Sequence, residues 1–156
     1  MDGEKMETQK LIYKRAVRNF FCGDKYVQHS GASIDEISDE KTVVSAWVEE
    51  KHLNGNGFVQ GGMLYMIADF AFAVHANYLH PNTVTQCGQI TYLRPAVCKK
   101  IIATATETEK VGRNSVAQVT IEDEEGNRLC VCHFNGFTKD VDKAQFIEKY
   151  NKGKQE

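Results

Sequence analysis

Asp69 is the residue of this 156-residue chain whose type and place most demand a chemical explanation. It is the only Asp, Glu, Lys or Arg between His52 and Arg94, and it interrupts the apolar run Met63-Leu-Tyr-Met-Ile-Ala-Asp-Phe-Ala-Phe-Ala-Val74. Burying an unpaired ionised acid costs several kcal/mol or forces its pKa upward. Asp69 is therefore either a structural acid satisfied by neighbouring donors or a group used for proton chemistry, and on its own the sequence ranks the two level. Directly upstream, the loop Asn54-Gly-Asn-Gly-Phe-Val-Gln-Gly-Gly62 delivers Gly61 and Gly62 to the first turn of a helix. Backbone N–H groups there lack intrahelical partners and the helix dipole is positive. Glycine also lets a carbonyl oxygen approach the main chain, so developing negative charge can be stabilised at this point. Paired glycines at a loop-to-helix junction more often serve turn geometry and close packing than catalysis.

Eight residues separate Gly61 from Asp69, about 12 Å along a helix, so the two cannot share one carbonyl within a single chain. If two such helices meet antiparallel across a two-fold axis, Asp69 of one comes near the Gly61 end of the other. The spacing thus favours a homodimer with two composite sites.

The elements that must position these groups are legible from periodicity. Lys5 to Phe21 has helical spacing, with Leu11, Ala16 and Phe20 among lysines and arginines and Gly23 as a stop, and reads as a surface helix. Val27 to Glu50 reads as short extended runs forming a hairpin, the clearest being Thr42 to Val48 after the turn-like Ser38-Asp-Glu-Lys41. Gly61 to about Leu79 is apolar nearly all round and predicts a helix enclosed by other structure. Four strand candidates follow Pro81: Thr83 to Leu93, Lys100 to Glu109, Asn114 to Asp123 and Arg128 to Thr138. Val111-Gly-Arg-Asn114 and Glu124-Glu-Gly-Asn127 supply hairpin turns, and Arg94-Pro-Ala96 ends a strand. Asp140 to Lys152 reads as a weak final helix or tail. The order predicts an α+β fold in one domain spanning residues 1–156, with an antiparallel sheet wrapped around a long central helix.

The composition, 42% apolar and 26% charged with two prolines, is that of an ordinary soluble domain. A net charge of −2 with scattered lysines offers no basic face for nucleic acid and no polybasic patch for a membrane. The acidic amino terminus lacks an apolar segment after it, which implies a cytoplasmic chain. The longest apolar stretch is too short to span a bilayer. Cys22, Cys87, Cys98, Cys130 and Cys132 are odd in number and lack C-x-x-C spacing, so reduced thiols are expected, with Cys130 and Cys132 packing on one sheet face. His29, His52, His75, His80 and His133 form no metal motif; His52 falls in the loop, and His75 on the apolar helix is expected as a satisfied core residue.

His52-Leu-Asn54-Gly-Asn-Gly57-Phe-Val-Gln60-Gly61-Gly62, followed by Met-Leu-Tyr-Met-Ile-Ala-Asp69, resembles the motif of PaaI-like hotdog-fold acyl-CoA thioesterases. That pattern is Asn, Gly, then His-Gly-Gly, then an acid seven residues on. Gln89-Ile-Thr-Tyr-Leu-Arg-Pro-Ala96 is similar to the following strand of the family, and the Gly112-Arg113 turn also recurs there. The resemblance covers roughly residues 25–139. It implies a hotdog fold hydrolysing a small or aromatic acyl-CoA, with CoA as part of the substrate and no separate cofactor. It also implies a homodimer paired into a homotetramer. Asp69 would be general base or nucleophile, Gly61 N–H the donor to the thioester oxygen, Asn54 an aid in positioning water or the carbonyl, and Thr85 a hydroxyl near the attacking water. Gln60 replaces the family histidine; it can donate a hydrogen bond or orient the loop but cannot carry a proton as imidazole does. Gly62 belongs to the same donor turn. Arg94, Arg113 with Asn114, and Lys99 or Lys100 are the candidate contacts for CoA phosphates. Phe58, Tyr65, Phe70, Phe72 and Tyr92 are candidates for an acyl pocket, against core or dimer contacts. A non-catalytic acyl-CoA-binding protein and a hydratase or dehydratase on the same scaffold are the competing functions.

Overall fold

The computed structural model describes residues 2–140 and 142–152. Helix α1 (Asp2–Phe21) is followed by α2 (Lys25–Ser30), strands β1 (Ser33–Ile37) and β2 (Thr42–Trp47), a 3-10 turn at Glu50–His52, helix α3 (Gly61–Leu79), strands β3 (Thr83–Tyr92), β4 (Lys100–Val111), β5 (Asn114–Asp123) and β6 (Arg128–Thr138), and helix α4 (Lys143–Lys152). The final-segment expectation is met by α4 where it is described; Val141 and residues 153–156 lie outside the described residues.

All strand pairings are antiparallel, in the order β1-β2-β4-β5-β6-β3. The order is not sequential because α3 intervenes between β2 and β3. Nineteen helical residues span about 28 Å, enough for the chain to leave at β2 and return at the opposite edge of the sheet. One face of the sheet packs on α3, which touches all six strands. Twelve α3 residues are buried, among them Ile67, Ala71, Phe72 and Val74. Sheet residues Ile101, Ala103, Ala105, Val119, Ile121, Cys130, Cys132 and Phe134 complete this core. Cys130 and Cys132 do share the inward face, and burial pushes their thiols up to about 11 and about 12, so both are neutral at pH 7.

One expectation is corrected. Residues 25–30 are helical rather than extended: the Asp24 carboxylate caps the Tyr26 and Val27 N–H groups, and Gly31, at φ 72, closes the turn in the left-handed region that glycine tolerates. In α1 the buried stripe is Tyr13, Ala16, Val17 and Phe21, while Leu11 and Phe20 are exposed. Tyr13 decides the rotation, because its hydroxyl donates to the Asn77 carbonyl near the end of α3.

The hairpin turns fall as their residues require. Gly112 sits at φ 55 between β4 and β5. Among the described residues strand β3 pairs with β6 alone, leaving its other edge unpaired, and it carries a bulge between Thr85 and Cys87.

Candidate active site

Asp69 lies in the middle of α3, half-buried, on the side facing the start of β3. Thr85 Oγ1 donates a 2.8 Å hydrogen bond to Asp69 Oδ1. Burial raises the Asp69 pKa and the Thr85 hydroxyl pulls it back down. The group is thus a carboxylate made more basic than usual by desolvation but kept oriented by one donor. Tyr65, one turn earlier on the same helix, faces Gly88 and Phe134 across β3 and β6. Burial, and then the nearby Asp69 carboxylate, raise the Tyr65 pKa, so its hydroxyl stays protonated.

The start of α3 is built differently. The loop 53–60 closes through Asn54 N–H to Phe58 O at 2.7 Å and is tied to the segment after β3 by Val59 N–H to Ala96 O at 3.0 Å. Asn54 Oδ1 accepts from Asn56 N–H and Phe58 N–H at 2.9 and 3.1 Å, so that oxygen serves the turn. The Asn54 amide nitrogen has no partner among the described residues. Gln60 is the N-cap of α3: its Oε1 accepts from Gly62 N–H, and from Met63 N–H at 3.3 Å. Of the glycine pair, Gly62 N–H is therefore occupied, whereas Gly61 N–H has no acceptor among the described residues. Tyr92, at the end of β3, donates to the Gly61 carbonyl at 2.9 Å.

Asn54, Phe58, Gly61, Leu64, Tyr92, Leu93 and Arg94 line one cleft of about 420 Å³. The structure brings together these members of the expected site, and separately Asp69 with Thr85 and Tyr65. It does not bring the two groups together within one chain. Arg113 and Asn114 lie at the β4–β5 turn, where Arg113 pairs with Asp140 and sits 5.7 Å from the Phe137 ring centroid. The Lys99 and Lys100 N–H groups bond Glu124, and the Lys100 ammonium lies 5.4 Å over Trp47. Phe70 and Phe72 are core residues.

His52 is buried on the 3-10 turn; its Nδ1 accepts from Glu49 N–H and its Nε2 has no partner among the described residues. His75 departs from the expected satisfied core residue: Nδ1 meets Thr42 Oγ1 at 3.2 Å, but Nε2 is buried without a partner among the described residues, and burial lowers its pKa. Among the described residues no group of three or more His, Cys, Asp or Glu is placed to hold a metal, and no helix is long and apolar enough to cross a membrane. The cleft wall formed by Val59, Leu64, Leu93, Pro95 and Ala96 was not anticipated. The Arg94-Pro-Ala96 break was its only sequence signal, since the wall depends on the long-range Val59 to Ala96 bond.

No family model matches the chain. A Deinococcus radiodurans protein described as "Putative esterase" is 34% identical over 110 residues, which make up 68% of this chain and 73% of that relative. A variant of the phenylacetic acid degradation protein PaaI from Thermus thermophilus superposes with a TM-score of 0.70 at 26% identity, covering 74% of this chain and all of that one. A hypothetical thioesterase from Streptococcus pneumoniae, solved with coenzyme A, shares the fold at a TM-score of 0.66 and 24% identity, over 69% of this chain and 85% of that one. The six-stranded antiparallel sheet packed on one long helix is the hotdog fold, and the chain belongs to the PaaI-like family of hotdog-fold thioesterases.

Proposed function

We propose that this protein is a cytoplasmic acyl-CoA thioesterase that hydrolyses a small or aromatic acyl-CoA to the free acid and CoA. The observation that carries the proposal is the Asp69 carboxylate, held by Thr85 in a largely apolar helix whose first N–H, at Gly61, is open among the described residues. The five free thiols suit a reducing compartment. The thioester oxygen binds at Gly61 N–H, where the helix dipole and the donor stabilise charge as the carbonyl carbon becomes tetrahedral. Asp69 either takes a proton from the attacking water or attacks the carbonyl itself, giving an anhydride that water opens. CoA leaves as the thiol.

Because Asp69 and Gly61 stand about 12 Å apart on one helix, the working site needs two chains. The unpaired edge of β3 offers the junction. Asp69 lies beside Thr85 at one end of this strand and Gly61 beside Tyr92 at the other. Allowing for the bulge after Thr85, a two-fold axis at Gln89 sets Thr85 of one chain level with Tyr92 of the other. Asp69 then faces Gly61 of the partner subunit, and two such dimers pair into a tetramer. Asn54 and Arg94 border the cleft at the glycine end, where Arg94 serves the CoA phosphates. Arg113 and Asn114 are secondary phosphate contacts, since Arg113 already holds Asp140.

Thiol release from a panel of acyl- and aryl-CoA thioesters tests the proposal. We expect turnover by the native protein and its loss, with folding retained, in Asp69→Asn. Unchanged turnover removes Asp69 from the reaction. Ligand-induced thermal stabilisation with no thiol release from any thioester identifies a binding protein instead.

A further inference from the structure

Each glycine of the Gly61-Gly62 pair makes room for a different side chain. A Cβ on Gly61 would stand 2.9 Å from the Tyr92 hydroxyl oxygen, and a Cβ on Gly62 would stand 2.7 Å from Gln60 Oε1. Those two atoms grip the same turn from opposite sides. Tyr92 donates to the Gly61 carbonyl from the end of β3, and Gln60 occupies the Gly62 and Met63 N–H groups from the loop. The Gln60 backbone is itself anchored, its N–H donating to His52 O at 2.8 Å. The turn that would otherwise present several donors, as phosphate-binding helix starts do, is left with the Gly61 N–H alone.

We propose that Tyr92 and Gln60 are positioning residues that clamp the Gly61 peptide and reduce the start of α3 to one aimed donor. Within the thioesterase reading, on which this rests, that donor meets a single carbonyl oxygen and discriminates against the multiply charged phosphates of CoA at the same spot. Gln60 then supplies geometry where an imidazole would supply a titratable group. Neither side chain touches the reacting atoms; both act through Gly61.

Steady-state kinetics of Tyr92→Phe, Gln60→Ala and Gly61→Ala, alone and combined, tests the clamp. Misplacing one donor predicts a fall of about tenfold in kcat for Tyr92→Phe, with KM within about twofold and the pH profile unmoved. In the Gly61→Ala background, where the added methyl already displaces the Tyr92 hydroxyl, Tyr92→Phe should cost less than about twofold further. Equal losses in both backgrounds, or an unchanged kcat for Tyr92→Phe while Asp69→Asn is inactive, overturn the clamp and leave the thioesterase reading standing. A second readout needs no turnover. In amide NMR spectra of the intact protein, the Gly62 signal should lose its hydrogen-bonded shift in Gln60→Ala, and the signals flanking the Gly61 peptide should move in Tyr92→Phe. Unmoved signals overturn the proposal even if no thioester is hydrolysed.

Discussion

Gly88 is a place where packing and the proposed chemistry meet, and Gly88→Ala tests both. Its added Cβ would lie 2.3 Å from the Tyr65 hydroxyl oxygen and 2.5 and 2.8 Å from Cε1 and Cδ1 of Phe134, whereas ordinary contact begins at 3.4 Å. Both neighbours must therefore yield by about 1 Å, a displacement that close-packed interiors resist. Phe134 has little freedom to do so: it is 1% exposed and stacked on Phe72 with ring centroids 5.3 Å apart. Phe72 in turn presses on Gly136, where a Cβ would meet its ring at 2.8 Å. Overpacking of this kind costs about 1–3 kcal/mol. At about 2–4 °C per kcal/mol for a chain of this size, Tm should fall by roughly 2–12 °C. Differential scanning calorimetry measures it. Tyr65→Phe in the Gly88→Ala background removes the hydroxyl clash but not the ring clash, so it should recover only part of the loss. A Tm within about 1 °C of the native protein would show that the core relaxes around an extra methyl and would refute the argument. So would full recovery in the double variant. The turnover of Gly88→Ala should fall as well, because Tyr65 lies one turn from Asp69 on α3 and its displacement disturbs the surroundings of that carboxylate.

Thr85→Val removes the donor that lowers the Asp69 pKa while leaving its burial in place. A base works when deprotonated, so the acidic limb of kcat/KM against pH should move to higher pH; a stationary limb separates Thr85 from the titrating group. Gln89→Cys should form an intersubunit disulfide on mild oxidation if β3 edges pair about a two-fold axis there. A chain that runs as a monomer by light scattering and gives no cross-linked band refutes that interface.

The strands and the central helix were legible because their burial demands are strong. An apolar run from Gly61 to Leu79 can only be enclosed, and the alternating segments after Pro81 each end in turn chemistry. The short helix at Lys25–Ser30 was missed because six residues give no period to read; its signals were the flanks, Asp24 as a cap and Gly31 as a left-handed stop. On α1 the buried residues Tyr13, Val17 and Phe21 recur every fourth position, but which neighbours cover that face is set by long-range contacts such as the Tyr13 bond to the Asn77 carbonyl.

At the site, residue types were readable and partnerships were not. Asp69 stood out as a charge without company, but that its company is Thr85 depends on the α3 to β3 crossover placing residue 85 beside residue 69. Gln60 reads as a lost acid–base group when judged only by what it cannot protonate. In place, its amide oxygen occupies two of the helix's first N–H groups and so decides which donor stays open. The same holds for the glycines. Their freedom to admit an oxyanion can be inferred from composition, but Gly61 and Gly62 also leave space for Tyr92 and Gln60, one of them thirty-one residues away. A Cβ at either position would press on the neighbour that holds the turn. The Gly-Gly pair is thus a packing requirement and a chemical one at the same atoms, and the two roles come apart only in variants such as Tyr92→Phe that leave the glycines untouched.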